Sequence, residues 1–129
     1  MNGRFTETNA RGVVLVCDKQ TDLIWQKDYA TNKTWQQAMD YADELNTAKH
    51  GGYSDWRLPT IEELVTLINY QRYNPASDFP GMPNGWFWSS SSYAGSTSYA
   101  WNVYGSNGSV SYCDKTYGDA ARCVRGERR

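Results

Sequence analysis

The chain has 129 residues, a net charge of -1 and a mean hydropathy of -0.75. This length predicts one domain, residues 1–129, that buries a core of its own. The near-neutral charge gives no electrostatic attraction to nucleic acid, and no apolar run approaches the roughly 18 residues of a membrane span. We therefore expect neither nucleic-acid binding nor membrane insertion, and we identify no signal peptide after Met1.

The first third of the chain predicts two strands around a turn. The β-branched, apolar run 12–18 predicts a strand, 19–22 predicts the turn, and 23–25 predicts the second strand. At the other end of the chain, 121–126 predicts a last short strand. The basic segment 122–129 is also interpreted as a solvated end, because chain termini are usually poorly ordered.

Two capping boxes predict two helices. Thr34 with Gln37 begins the first helix, and Thr60 with Glu63 begins the second. Apolar residues at helical spacing then predict the buried faces. These are Trp35, Ala38, Ala42 and Leu45 in the first helix, and Ile61, Leu64, Val65 and Ile68 in the second.

Beyond a Pro- and Gly-rich loop, 74–85, the apolar period changes from helical to two. Residues 105–108, Gly-Ser-Asn-Gly, predict the turn of a hairpin between two strands. We expect Trp101, Val103, Val110 and Tyr112 to face inward, and Asn102, Tyr104, Ser109, Ser111 and Cys113 to face outward. The order of elements predicts an α+β fold with helices packed on a mostly antiparallel sheet.

Catalytic and metal-binding patterns are few. His50 is the only histidine, and its place beside two glycines is typical of a surface residue at a helix end. The cysteines, Cys17, Cys113 and Cys123, have no zinc-ligand spacing, and an oxidising compartment would pair at most two of them. We therefore expect no enzyme activity, no metal and no cofactor.

Residues 98–113 contain no charged side chain and consist almost wholly of Tyr, Ser, Asn, Gly and Trp. Tyrosine and tryptophan give a large contact area at low entropic cost, and small polar residues give adaptable hydrogen bonds, as in antibody binding loops. This composition predicts a binding surface. A face buried in an oligomer, or an ordinary polar strand surface, remains the alternative.

Six motifs occur here in the order found in one family: TDLIWQK, TWQQAMDYADELN, GYSDWRLPTIEEL, WFWSSSSYAG, SYAW and ARCVRG. The chain resembles the C-terminal domain family of the Legionella collagen-like adhesin. The resemblance implies a C-type-lectin-like fold with two helices, a sheet and a long irregular region that presents a ligand surface. It also implies display outside the cell, on a virion or a cell envelope, and a protein or glycan ligand.

Within that family, the chain resembles the variable proteins of diversity-generating retroelements. In those systems, copying errors at adenines scatter Asn codons over a restricted set of residues that excludes Lys, Glu, Gln, Met and Trp. The resemblance implies a variable face over about 91–120 on a fixed scaffold. Its predicted ligand-binding residues are Ser92, Tyr93, Ser96, Asn102, Tyr104, Gly105, Asn107, Ser109, Ser111, Cys113, Asp114, Tyr117, Gly118, Asp119 and Ala120.

Two departures from the family pattern affect these expectations. Asp22 stands where relatives carry Gly, which is the residue that most readily adopts positive φ. Cys113 has no counterpart in the family, so a disulfide, if one forms, joins Cys17 to Cys123 and leaves Cys113 free.

Two other functions stay open from the sequence. The first is a fixed-specificity glycan-binding adhesin domain, although the named relative binds acidic polysaccharides and this face lacks basic residues. The second is a formylglycine-generating-type oxidase, whose fold is related and whose paired cysteines would correspond to Cys113 and Cys123. The spacing of those cysteines differs from the pattern of such oxidases.

Overall fold

The computed structural model describes residues 3–126 and shows two mostly antiparallel sheets with two α-helices. The α+β class is therefore confirmed. In chain order, the elements are β1 (Phe5–Ala10), β2 (Val13–Asp18), β3 (Ile24–Gln26), β4 (Ala30–Lys33), α1 (Trp35–Thr47), a short 3-10 helix (His50–Gly52), α2 (Ile61–Val65), β5 (Trp86–Ser92), β6 (Tyr99–Tyr104), β7 (Val110–Asp114), β8 (Asp119–Ala121) and β9 (Val124–Arg125).

The strands form one sheet of order β1-β2-β3-β9 and a second of order β4-β8-β5-β6-β7. All pairs are antiparallel except β5 with β8. The predicted hairpin is confirmed as β6 and β7, in register from Tyr99↔Asp114 to Val103↔Val110. β7 lies at the edge of its sheet, so one side of this strand is open.

Both predicted capping boxes are confirmed. The Thr34 hydroxyl accepts the Gln37 N–H and the Thr60 hydroxyl accepts the Glu63 N–H, which satisfies N–H groups that a helix start leaves unpaired. α1 runs for 13 residues, but α2 ends after five, so Ile68 lies beyond it and bridges to Ser77. Within residues 3–126, no helix has the length and apolar character needed to span a membrane.

The middle of the second sheet, at β5 and β6, is covered on both faces. On one face, Trp88 and Ala100 pack with Ala38 of α1 in a buried cluster. On the other face, Phe87 and Val103 pack with residues of α2 and the segment after it. Because successive residues of β5 and β6 meet a helix on either side, burial in these strands does not simply alternate with polarity.

Residues 121–126, which are predicted to form one last strand, contribute to two strands in the structure. β8 belongs to the second sheet and ends at Ala121. The chain then crosses to the first sheet, where β9 pairs with β3. The prediction of a solvated end is wrong for residues 122–125. Arg122 is 1% exposed, and Arg125 forms an ion pair with Asp55. Residues 127–129 of that segment lie outside the described residues.

Buried Arg122 lies between the sheets. Its guanidinium carbon lies 4.5 Å from the ring centroid of Phe79, 5.0 Å from that of Tyr29 and 5.3 Å from that of Phe87. Its Nη2 donates to the carbonyl oxygen of Lys27 at 2.6 Å. Burial lowers the pKa of Arg122 to about 10. The aromatic faces and the carbonyl replace part of the water that this charge loses.

The Cys17–Cys123 disulfide is absent, since all three cysteines are free. Cys17 lies on β2 and Cys123 lies beside β9, and β3 separates these strands. Two strand spacings are about 10 Å, which exceeds the roughly 4.4–6.8 Å between Cα atoms that a disulfide permits. The position of Asp22 does have a positive φ, 65°, in the turn between β2 and β3.

Candidate ligand-binding face

Four aromatic side chains lie together on the β6–β7 hairpin and the loop before it. We call this set, Tyr93, Tyr99, Trp101 and Tyr112, the aromatic platform. Trp101 and Tyr112 are directly opposed across the two strands, so their side chains share a face. Tyr93 follows β5, and its N–H donates to the Tyr99 carbonyl oxygen at 2.9 Å, which holds the loop against the hairpin.

Contacts among the rings of the platform restrict their orientations. Tyr93 and Tyr112 stack with centroids 4.0 Å apart and planes 14° apart. Trp101 meets both rings edge-on, at 5.3 Å from Tyr93 and 5.5 Å from Tyr112. Tyr99 lies 5.8 Å from Tyr112. Offset and edge-on contacts are the favoured arrangements of aromatic pairs, so the platform is ordered without a ligand.

This ordered surface is also open. Tyr99 is 36% exposed, and Tyr112 and Val110 are each 42% exposed. The prediction that Val110 and Tyr112 face inward is therefore wrong, whereas Val103 of the same row is buried. The physical reason is that α2 contributes to the cluster around Val103, while the outer part of the same face lies on edge strand β7.

One carboxylate borders the platform. Asp114 is directly opposed to Tyr99 and so lies on the same face. Its Oδ1 accepts the Thr116 N–H at 2.9 Å and the Thr116 hydroxyl at 2.8 Å, and these bonds lower the pKa of Asp114. The adjacent Lys115 is directed elsewhere, with Nζ 3.0 Å from Ser92 Oγ and 4.0 Å from the ring centroid of Trp35.

The tyrosine hydroxyls of Tyr93 and Tyr112 interact. A hydrogen bond with Tyr112 and the charge of the Tyr112 phenolate raise the pKa of Tyr93. The Tyr93 hydroxyl therefore stays protonated at neutral pH, and a phenolic hydroxyl can both donate and accept hydrogen bonds. The platform combines apolar ring surface with hydroxyl groups.

Asn102 was predicted to face outward, but it is 3% exposed. Its Nδ2 donates to Asp119 Oδ2 at 2.9 Å and to Cys113 Sγ at 3.3 Å. Asn102 Oδ1 is buried with no hydrogen-bond partner among residues 3–126. The reason for the inward orientation is α1, which covers this face of the sheet through the cluster around Ala100.

Cys113 and Asp119 are likewise only partly exposed, because they complete this hydrogen-bonded group. Burial, followed by the nearby charge of Asp119, raises the pKa of Cys113 to about 11. A thiol with this pKa is almost wholly protonated at neutral pH and is a poor nucleophile. Burial also raises the pKa of Asp119, despite hydrogen bonds from Asn102 and Cys113.

Two further residues of the predicted face are core or backbone positions. Gly105 is buried, and a Cβ there would lie 2.2 Å from the Pro83 carbonyl oxygen. Ala120 is 9% exposed and belongs to the cluster around Phe87. Neither position can present a varied side chain to a ligand without moving its neighbours.

The other predicted face residues are exposed or partly exposed, but they do not form a single patch. Ser109 and Ser111 point to the face opposite the platform, since they alternate with Val110 and Tyr112. Tyr104 stacks on Trp86 with centroids 4.7 Å apart. The full set with accessible surface is Ser92, Tyr93, Ser96, Tyr104, Asn107, Ser109, Ser111, Cys113, Asp114, Tyr117, Gly118 and Asp119.

The predicted ligand-binding residues do not include Tyr99, Trp101 or Tyr112. The sequence does contain a signal for them, the density of aromatics between residues 93 and 112. Alternation alone assigned Trp101 and Tyr112 to the core, because an apolar row in a strand usually faces inward. This row lies partly on an edge strand, and the order of strands in the sheet cannot be derived from the residues of the hairpin alone.

The family model of the Lcl C-terminal domain matches residues 14–125, which is most of the chain. The chain belongs to this family. The predicted membership in the family of the adhesin C-terminal domain is thus confirmed, and with it the C-type-lectin-like fold. No curated protein matches the chain.

Membership in the Lcl C-terminal domain family associates the chain with adhesin-like domains, which fits ligand binding and surface display. The residues considered for catalysis are not brought together. Cys113 lies on β7 and Cys123 follows β8, with β5 and β6 between these strands. Within the described part of the chain, no group of three or more His, Cys, Asp or Glu could hold a metal ion.

His50 is not a plain surface residue as expected. It is half-buried, and its ring meets Trp56 edge-on at 5.5 Å. Burial lowers its pKa, so the ring is neutral at pH 7. Its carbonyl oxygen accepts the Trp56 Nε1–H at 2.9 Å, which supports a role in positioning the segment after α1.

Proposed function

We propose that this Lcl C-terminal domain is a ligand-binding module that recognises a protein or glycan on a cell surface through the aromatic platform. The observation that carries the proposal is a half-exposed, ordered group of four aromatic rings on an open edge of the sheet. Large rigid aromatic side chains are enriched among residues that dominate binding energy.

Order within the platform favours this function energetically. A ligand that binds flexible side chains must restrict them, at a cost of about 0.5–1.5 kcal/mol for each one immobilised. Here the stacking of Tyr93 on Tyr112 and the edge-on contacts of Trp101 already restrict the rings. The platform can therefore bind with little further loss of side-chain entropy.

Binding to intact cells tests the proposal. The fluorescently labelled chain is added to a panel of bacterial and eukaryotic cells, beside a Tyr99→Ser variant and a Tyr73→Ser control. Tyr73 is 78% exposed and lies outside the platform. We expect at least one cell type to bind the wild type and the control, with Tyr99→Ser binding about tenfold more weakly. Equal binding by all three, or no binding to any cell, contradicts the proposal.

We propose further that the ligand surface is diversified by a retroelement. Support comes from the restricted residue set at accessible positions such as Ser109, Ser111 and Tyr117, and from Cys113, which has no family counterpart. Diversification would be confined to accessible positions, because Gly105, Ala120 and Asn102 are buried. The test is the neighbouring DNA, where we expect a near-repeat of the 3′ coding end that differs only at adenines, beside a reverse transcriptase. Absence of that repeat contradicts diversification.

A specific observation also favours the second candidate, a fixed-specificity adhesin domain. Trp101 contacts two other rings of the platform and cannot arise from the restricted codon set. Tyr112 fits the usual family pattern, so these two of the four platform rings would be invariant. Comparing the ligands of several natural copies of the domain distinguishes fixed specificity from diversification. Fixed specificity predicts one shared ligand, and diversification predicts different ligands for copies that differ at accessible positions.

A further inference from the structure

We propose that the ligand of the aromatic platform is a neutral glycan, with the Asp114 carboxylate accepting hydrogen bonds from sugar hydroxyls. This inference rests on the function proposed above, that the platform binds a ligand. It adds the chemical class of that ligand and a polar residue that recognises it.

The shape and polarity of the platform suit a sugar ring. A pyranose has an apolar face of C–H groups and a rim of hydroxyls. The C–H face can pack on the partly exposed rings of Tyr99 and Tyr112, which lie 5.8 Å apart, while hydroxyls at the rim meet the tyrosine hydroxyls. Each partner then buries apolar surface without leaving a buried polar group unpaired.

The charge of the platform disfavours acidic glycans. The three rows of the hairpin on this face are Tyr99↔Asp114, Trp101↔Tyr112 and Val103↔Val110, and Asp114 is the charged residue among them. The neighbouring cation, Lys115, lies against Trp35 and Ser92 instead. A sulfated or carboxylated sugar on the platform would meet a like charge and, among these paired residues of the hairpin, no compensating cation, which disfavours binding.

Asp114 has hydrogen-bonding capacity for this role. An ionised carboxylate offers about four acceptor sites. Thr116 occupies two of them, both on Oδ1. Hydrogen bonds from a hydroxyl to an ionised carboxylate are stronger than bonds between neutral groups. Asp114 is therefore placed to orient a hydroxylated ligand beside Tyr99.

A cationic ligand could also use aromatic rings and a carboxylate, but the ring arrangement disfavours it. Cages for quaternary ammonium groups surround the cation with ring faces. Here Tyr93 and Tyr112 stack on each other at 4.0 Å, and Trp101 packs against both, so these rings leave no gap between them. The platform is a surface for stacking and does not enclose a small cation.

The test is an array of immobilised neutral, sulfated and carboxylated oligosaccharides, with a trimethyllysine peptide as a further probe. The full chain is compared with Tyr112→Ser and Asp114→Asn, and with Tyr73→Ser as the control. We expect the wild type to bind at least one neutral oligosaccharide. Tyr112→Ser weakens that binding about tenfold, Asp114→Asn weakens it about fivefold, and Tyr73→Ser stays within about twofold.

A second measurement guards against a variant that loses its fold. In NMR spectra of the wild type with the bound oligosaccharide, ring currents should shift the C–H protons of one sugar face upfield. The proposal is overturned if only acidic glycans or the trimethyllysine peptide bind, if no neutral oligosaccharide binds, or if binding is unaffected by Tyr112→Ser. Platform-dependent binding to cells without binding to neutral sugars would contradict this inference alone and leave the proposed function standing.

Discussion

Gly105 begins the turn between β6 and β7, and its backbone is held on two sides. Its N–H donates to the Gly85 carbonyl oxygen at 2.7 Å, and its own carbonyl accepts the Ala76 N–H at 2.8 Å. The atom that a Cβ would meet is the Pro83 carbonyl oxygen, which is backbone and cannot rotate away as a side chain can. The glycine is therefore required by close packing.

Replacing Gly105 by Ala should lower the free energy of unfolding by about 2 kcal/mol, because the added methyl group displaces this backbone. Gly85→Ala is the matched control, since a Cβ there meets no atom within 4 Å and its φ is not positive. Urea denaturation measures both variants. Equal stability of Gly105→Ala and the wild type would show that the loop 69–85 is not packed against the hairpin turn as described.

Asp119 makes stability depend on pH in a direction opposite to that of most carboxylates. Burial raises its pKa above the ordinary value of 3.8, so folding favours the protonated form. This contribution to stability is present below pH 3.8 and is lost as the pH rises through the raised folded pKa. Asp119→Asn removes the charge and provides an amide that can donate to Asn102 Oδ1.

We therefore expect Asp119→Asn to become increasingly stable relative to the wild type as the pH rises from 3 to 7. Urea unfolding of both proteins at several pH values measures the difference. Asp114→Asn serves as the control. Bonds from Thr116 lower the pKa of Asp114, so this variant should become less stable relative to the wild type as the pH rises. A stability difference for Asp119→Asn that does not change with pH would refute the burial of this carboxyl.

At the scale of elements, the two helices begin with the same motif in different surroundings. In α1, Gln37 Oε1 accepts the Thr34 N–H in an exposed box. In α2, Glu63 is 6% exposed and accepts bonds from Thr60 N–H and from both Arg57 Nη atoms, the latter at 2.7 Å. Burial alone would raise the pKa of Glu63, but the bonds from Arg57 and Thr60 lower it.

Replacing the glutamine or glutamate that completes each capping box should therefore have unequal effects on stability. Glu63→Ala removes the two charge-assisted bonds from Arg57 together with the capping bond and should lower the free energy of unfolding by about 2 kcal/mol, whereas Gln37→Ala should lower it by about 0.5 kcal/mol. The contribution of Glu63 is present above the ordinary pKa of 4.5 and is lost as the pH falls through the lowered folded pKa. Thermal unfolding at pH 7 and pH 3 checks both statements, and equal losses at pH 7 would contradict them.

These elements show which features the sequence determines locally. Each capping box depends on residues three apart, so Thr34 with Gln37 and Thr60 with Glu63 could be recognised without the fold. The side of the sheet on which Asn102 and Tyr112 lie could not be recognised in this way, because their burial depends on which strands are at an edge and which helix covers each face. β1, whose middle residues Thr6–Asn9 are polar and exposed, lacks an alternating apolar signal and was not predicted.

At the scale of the whole molecule, Arg122 joins the two sheets. It follows β8 of one sheet, donates to Lys27 after β3 of the other, and packs against rings of Phe79 and Phe87. A planar guanidinium stacks on aromatic faces and is more weakly hydrated than an ammonium. The side chain therefore fits this interior in a way that lysine does not.

Arg122→Lys should lower the free energy of unfolding by about 2 kcal/mol or more. Arg125→Lys, a change of the same chemistry three residues later in a partly exposed ion pair with Asp55, should change it by less than about 1 kcal/mol. Urea denaturation again gives the comparison. Similar effects at the two positions would contradict the burial of Arg122 between the sheets.

The proposed binding surface is also a property of the whole molecule, because the platform combines a loop, β6 and an edge strand. Hydroxyl-radical footprinting of the full chain bound to cells that retain it tests this surface most directly. We predict that binding protects Tyr99, Trp101 and Tyr112 from oxidation, while Tyr73, which is 78% exposed, is oxidised as in the free protein. Protection of Tyr73 or Tyr117 with an unprotected platform would contradict the assignment of the ligand-binding face.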